Sequence, residues 1–230
     1  MPTSHPIELG EAREAELALL IADLSGYTAF TETHGALHAS EVVLRFQRLA
    51  AASLEPGVAI VNSIGDDVFC AGADTLAVVR TALRLRDEVE RQADFPHVRS
   101  GVHCGRIVER ERQLFGAPIN LTARVAAHAL GGQILCTEPI ARAVRAIEDI
   151  QVRTIGERRF RNVVHPVAVF ELARPGAPAR TAVIDPVCRM QVEVASAVAT
   201  IVHAGANYHF CSRKCAGDFA KAPELYVGTG

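Results

Sequence analysis

The chain has 230 residues, 49% of them hydrophobic, which is enough apolar material for one substantial core and a second, small unit. Its 24 basic and 26 acidic residues nearly balance at a net charge of −2 and are interspersed, so it has no basic footprint of a nucleic-acid binder. The first sixteen residues are polar and acidic, without the basic flank and apolar run of a secretory signal, and no stretch is long enough to span a bilayer; a soluble, cytoplasmic protein is expected, with no membrane partner.

In chain order, Leu17 to Ala22 is a continuous apolar run ending at Asp23, and Ser25-Gly26 breaks the pattern, which predicts a buried strand with Asp23 at its end. Val42, Phe46 and Leu49 recur at helical spacing and predict a helix from Ser40, taken as its N-cap, to Leu54. Val58 to Ile64 and Val68 to Ala71 read as strands joined by Gly65-Asp66-Asp67, a hairpin that sets Asp66 at the tip. Leu76, Val79 and Leu83 mark a second helix and Val98 to Val108 a strand. A third helix after Pro118 carries Asn120, Arg124 and His128 on one face. Strands follow around Ile134 to Thr137, Val152 to Ile155 and Val167 to Leu172, with a helix among them. This order predicts an α+β sandwich, an antiparallel-rich sheet covered by helices. The Pro- and Gly-containing stretch Ala173 to Arg180 reads as a linker. The expected division is a tail over 1–16, a main unit over 17–172, a linker over 173–180 and a small unit over 181–230.

Carboxylates at a strand end and a neighbouring hairpin tip can converge, and convergent carboxylates suit hard divalent cations. Asp23 and Asp66 are therefore the candidate ligands, although each also fits a plain capping or turn role. Asp67, directly after Asp66, either adds charge near these ligands or, since neighbours in a strand point to opposite faces, is a simple turn residue, the latter being the expectation. Cys70, Cys104 and Cys136 stand singly in apolar segments and are expected to be small buried residues. Cys188, Cys211 and Cys215 cluster near the C-terminus, where a cytoplasmic disulfide is not the expectation.

Three ordered motifs carry a resemblance: Ala22-Asp23-Leu24-Ser25-Gly26-Tyr27-Thr28, then Ile64-Gly65-Asp66, then Leu114-Phe115-Gly116-Ala117-Pro118-Ile119-Asn120-Leu121-Thr122-Ala123-Arg124. Together they resemble the class III adenylate and guanylate cyclases over roughly residues 17 to 172. The resemblance implies a ferredoxin-like catalytic sandwich that closes ATP or GTP into its 3′,5′-cyclic monophosphate for second-messenger signalling. It implies two Mg²⁺ or Mn²⁺ ions per site on Asp23 and Asp66, with Asn120 orienting the ribose and Arg124 stabilising the transition state. Arg161, in Phe160-Arg161-Asn162, falls where the family places a second triphosphate cation. It further implies a homodimer, because in the family the metal ligands and the asparagine-arginine pair come from different subunits. Asn62 and Gln113 occupy the base-reading positions, where adenylate cyclases commonly carry lysine and aspartate and guanylate cyclases glutamate and cysteine. Amides can donate and accept, so either purine fits; ATP is the expected substrate and GTP the alternative. The rival reading is a non-catalytic, nucleotide-binding module of the same fold.

Asp185-Pro186-Val187-Cys188 followed by Tyr208-His209-Phe210-Cys211-Ser212-Arg213-Lys214-Cys215 resembles the YHS domain from about Ile184 to Tyr226. Its three thiolates suit a soft ion such as Zn²⁺ or Cu⁺, with Asp185, His203, His209 or an open position completing the set. Metal binding there is expected either to staple the small unit or to tune the larger one.

Overall fold

The computed structural model describes residues 12–92, 95–111, 113–177, 182–188 and 191–227. Strand β1 (Arg13–Leu24) is followed by α1 (Tyr27–His34), α2 (Ala36–Ala52), the hairpin β2 (Val58–Ile64) and β3 (Asp67–Gly72), and α3 (Thr75–Glu90). Next come β4 (Val98–Arg110), β5 (Gln113–Phe115), α4 (Ala117–His128), β6 (Ile134–Thr137), α5 (Glu138–Val144), β7 (Gln151–Arg158) and β8 (Val167–Ala173). The sheet runs β2-β3-β1-β4-β6-β8-β7, with β5 hairpinned onto β4. Every pairing is antiparallel except β4 with β6, so the α+β, antiparallel-rich expectation holds.

Alternation along β1 divides the molecule into two layers. Ala18, Leu20, Ala22 and Leu24 face one way and join the main core with Phe46 of α2, Leu83 of α3 and Ile140 of α5. Leu19 faces the other way with Ala71 and Ile107. On that second side α4 packs Val125 and Ala126 inward, and Val125 meets Leu135 and Val169. Asp23 continues the series of Leu19, so its side chain emerges on the α4 side of the sheet.

Two boundaries differ from the sequence reading. The sheet starts at Arg13, four residues before the expected Leu17, because the polar stretch Arg13 to Glu16 is held by pairing with the outer end of β4, a constraint that hydropathy does not report. Helix α2 starts at Ala36 behind Gly35, whose φ of 86° turns the chain sharply out of α1. Ser40 is thus inside the helix rather than its N-cap, and its hydroxyl donates to the Leu37 carbonyl at 2.7 Å.

After β8, Arg174 bridges Asp87 at 3.3 Å and Asp149 at 3.4 Å, so the first part of the linker lies against the main unit; residues 178–180 fall outside the described residues. The C-terminal unit comprises β9 (Ala182–Ile184) paired with β10 (Gln191–Glu193), β11 (Ala199–His203) paired with β12 (Ala206–Phe210), and α6 (Arg213–Lys221). Phe210 and Phe219, both fully buried, pack as tilted rings with centroids 5.1 Å apart, and Tyr208 joins Phe219 at 4.9 Å. This small core is continuous with that of the larger unit. Among the described residues, no helix is long and apolar enough to cross a membrane.

The seat of α4 depends on Gly101. A Cβ there would fall against the Ala126 backbone nitrogen and 2.6 Å from the Thr122 carbonyl oxygen, with only rigid helix backbone to yield. Gly101→Ala is expected to lower the unfolding free energy by about 3 kcal/mol, the upper part of the overpacking range, as read by urea denaturation.

Candidate active site and cysteine centre

Three strands deliver the acidic site. Asp23 at the end of β1 lies opposite Asp67 of β3 on one side and Arg99 of β4 on the other, and Asp66 occupies the turn that leads into β3. The Arg99 Nε donates to Asp23 Oδ1 at 2.5 Å, with Asp23 only 13% and Arg99 31% exposed. The same guanidinium reaches the Ala127 carbonyl near the C-terminus of α4 at 3.4 Å. Burial raises the Asp66 carboxyl above its ordinary range, and the Asp23 charge adds to this while Arg99 opposes it. Asp67 is raised by burial and then by Asp23 and Asp66. Asp67 is therefore a cross-strand partner of Asp23 and part of this acidic group, where the sequence suggested a plain turn residue.

Three carboxylates facing one guanidinium leave an excess of negative charge held by oxygen donors, a donor set that suits Mg²⁺ or Mn²⁺. Beside it, a cleft of about 440 Å³ is lined by Ser25, Gly26, Tyr27, Asp66, Arg99 and, from the C-terminal unit, Ile184. The turn Ser25-Gly26 is fixed by the Ser25 N–H, which donates to the His97 carbonyl at 2.8 Å, and by a left-handed Gly26 with φ of 75°.

Asn120 and Arg124 project from α4, the first exposed and the second half-buried. Neither side chain has a hydrogen-bond or ion-pair partner among the described residues. Gln113 is exposed on β5, Asn62 is exposed on β2 beside a bulge, and Arg161 is exposed in the connection from β7 to β8. None of these five lines the cleft beside Asp66. Within the chain the acidic residues come together, and the α4 pair and the amide positions stand outside the lining of the cleft beside them.

In the C-terminal unit, donor atoms of Asp185, Cys188, Cys211 and Cys215 lie within 4.8 Å of one another. The Cys188 and Cys211 sulfurs are 3.4 Å apart and those of Cys211 and Cys215 3.7 Å. Cys215 stands in the first turn of α6, where its N–H donates to the Ser212 side chain at 3.1 Å. Hydrogen bonds from Cys188 and Cys211 push the Cys215 thiol well below its usual range, while Cys211 is held up as a donor to its neighbours. One stable thiolate among three sulfurs is a soft-metal donor set. Asp185, fully buried, accepts from the Val187 and Cys188 N–H groups at 2.9 and 3.3 Å through one oxygen and from Cys211 N–H at 2.9 Å through the other. Its carboxylate is largely spent on bracing the two cysteine loops. His203 packs edge-on against Phe219 at 5.9 Å, and His209 pairs with Thr200 at 3.0 Å, so both stand outside the cluster. Of the other cysteines, Cys70 and Cys136 are buried as expected, with Cys70 pushed up to about 12 by burial. Cys104 is half-exposed, and its thiol donates to Glu16 at 3.7 Å.

The solved structure of the adenylyl cyclase CyaB from P. aeruginosa superposes with a TM-score of 0.62 over 74% of this chain and all of that one, at 16% identity. The larger unit has the class III cyclase catalytic fold. A pH-sensitive adenylate cyclase of Mycobacterium tuberculosis is 29% identical over 162 residues, 69% of this chain and 41% of that protein, so the chain spans less than half the length of this relative. The YHS domain family matches residues 183–229. A copper-transporting P-type ATPase of Rhizobium leguminosarum is 44% identical over 43 residues, 19% of this chain and 5% of that protein.

Arg99 was missed from the sequence, because only the antiparallel register of β1 and β4 sets it opposite Asp23.

The raised Asp66 carboxyl gives a signed stability prediction. Its contribution to the metal-free fold is complete at pH below the ordinary carboxylate value and is lost as pH rises through the raised value. Asp66→Asn is therefore expected to melt above the wild type in chelator at neutral pH, and the difference should vanish under acid conditions. Saturating Mg²⁺, about 2.7 kcal/mol of stabilisation at a hundredfold over Kd, should reverse the order by acting on the wild type alone.

Proposed function

We propose that the chain is a nucleotide cyclase that converts ATP, with GTP as the poorer alternative, into the 3′,5′-cyclic nucleotide and pyrophosphate at sites shared by two subunits. The observation that carries this reading is the convergence of Asp23, Asp66 and Asp67 beside Arg99 at the mouth of a cleft formed by the Ser25-Gly26 turn. The catalytic unit is residues 17–172, extended outward by the strand from Arg13, with residues 173–180 linking it to a metal-binding unit over 181–230.

Asp23 and Asp66 would hold two divalent cations, with Asp67 adding charge beside them. Bound Mg²⁺ or Mn²⁺ supplies Lewis-acid stabilisation of the attacking ribose oxygen and the departing pyrophosphate. Arg99 orients Asp23 from the side, so the carboxylate keeps one position before and after substrate enters. The turn at Ser25-Gly26 and the start of α1 border the position of the phosphates, with backbone N–H groups as donors. Arg124, unpaired among the described residues, stabilises the charge that develops on the phosphoryl oxygens, and Asn120, one turn earlier on the same face, fixes the ribose. Both reach the acidic site of a second subunit, because in their own chain they lie away from the cleft. Asn62 and Gln113 read the purine edge through amides, and Arg161 contacts the triphosphate. The cytoplasm is the expected compartment, and the cyclic product serves as a second messenger. The relative named as an adenylate cyclase supports the reaction and the choice of ATP.

Chromatographic product analysis with ATP or GTP and Mg²⁺ or Mn²⁺ tests the reaction: a cyclic product is expected from the wild type, and its absence from a verified dimer under every condition refutes it. Asp23→Ala and Arg124→Ala should each cut kcat by about a hundredfold or more. Mixed in equal amounts and allowed to exchange, they should recover about a quarter of wild-type activity, since half the dimers then carry one intact site of two. Failure of two folded, dimeric variants to complement rules out the shared site.

A further inference from the structure

Between the two units lies a second cleft, of about 750 Å³. One wall comes from the catalytic unit, with Phe30, His34 and His38 near the α1–α2 junction and Phe95 and His97 before β4. The other comes from the C-terminal unit, with Val192, Val198, Cys211, Ser212 and Arg213. The cysteine centre thus reaches this cleft through Cys211. Three sulfurs converge there, but the fourth nearby donor, Asp185, already accepts three backbone hydrogen bonds. A tetrahedral Zn²⁺-type ion on three sulfurs lacks one good ligand, and imidazole is a common partner for thiolates.

We infer that His34 of the catalytic unit supplies this fourth ligand, so that metal binding at Cys188, Cys211 and Cys215 clamps α1 against the C-terminal unit.

The inference rests on the reading that the cysteine centre binds metal. His34 is one of three imidazoles in the cleft wall, with His38 and His97. Its ring packs at a 36° tilt against Phe30, centroids 4.5 Å apart, and its nitrogens have no hydrogen-bond partner among the described residues. His38 is directed to Glu41, 3.6 Å away. His34 is also near enough to Cys215 to feel its charge. The His34 ring lies outside the group of four donor atoms, so ligation draws the two walls of the cleft together. The consequence is mechanical. Helix α1 has eight residues, with His34 as its last, and its first residue, Tyr27, lines the catalytic cleft beside Asp66 and Arg99. An ion held at one end of this short rod fixes the position of the Ser25-Gly26 turn at the other, about 12 Å away at 1.5 Å per residue.

Zinc K-edge absorption of the full chain loaded with one equivalent of Zn²⁺ is the test. Three sulfurs at about 2.3 Å and one imidazole nitrogen at about 2.0 Å are expected for the wild type. His34→Ala should lose the imidazole scattering and bind Zn²⁺ at least about tenfold more weakly, by chelator competition, a loss of the size seen when a metal's supporting shell is cut. His38→Ala should match the wild type. A wild type that binds Zn²⁺ with no imidazole, or a His34→Ala spectrum identical to wild type, overturns the inference and leaves the cysteine centre standing. Loss of the imidazole in His38→Ala in place of His34→Ala overturns the assignment to His34. Zn²⁺ binding that is equally weak in wild type and Cys215→Ser overturns the cysteine centre itself.

Discussion

The acidic site depends on one ion pair. Asp23 closes β1 among other carboxylates, and Arg99, its cross-strand neighbour, is the cation that faces it directly. At 13% exposure Asp23 has little water to screen it, so removal of Arg99 would leave a mostly buried charge beside two like charges. The same guanidinium touches the last turn of α4, where carbonyl groups without helical partners carry partial negative charge. Arg99 thus ties together the strand that ends at Asp23, the strand that crosses under α4, and the end of the helix that carries Asn120 and Arg124.

That arrangement separates two tasks in one chain. The sheet gathers oxygen donors on its α4 side where β3, β1 and β4 meet, while α4, seated on Gly101, displays an asparagine and an arginine that make no hydrogen bond or ion pair with any described residue. The close approach at Gly101 makes the placement rigid, since backbone meets backbone there and no side chain can flex to absorb a shift.

Much of this could be read from local pattern. The strand ending at Asp23, the hairpin with Asp66 at its tip and the helix carrying Asn120 and Arg124 each follow from periodicity and turn chemistry within a dozen residues. What escaped depends on pairing between distant segments. Arg99 becomes a partner of Asp23 only through the antiparallel register of β1 and β4, and Asp67 only through that of β1 and β3. Asp185 looked like a possible ligand because carboxylates bind metals, yet its oxygens accept from the N–H groups of Val187 and Cys188 beside it and of Cys211, 26 residues along the chain. Ser40 misled for the opposite reason: serine is a good cap, but Gly35 had already set the turn from which the helix starts.

Packing of the small unit onto the large one gives the molecule two metal chemistries at opposite ends of one short helix. Oxygen donors near the start of α1 suit hard ions that exchange quickly and keep water, whereas sulfur donors beyond its end suit soft ions that bind tightly. The two donor sets therefore favour different classes of ion. Because the hydrophobic core runs without a break from Phe46 to Phe210 and Phe219, the C-terminal unit is no freely tethered appendage. Its core packs against Phe30 of α1, and its Ile184 borders the cleft beside Asp66.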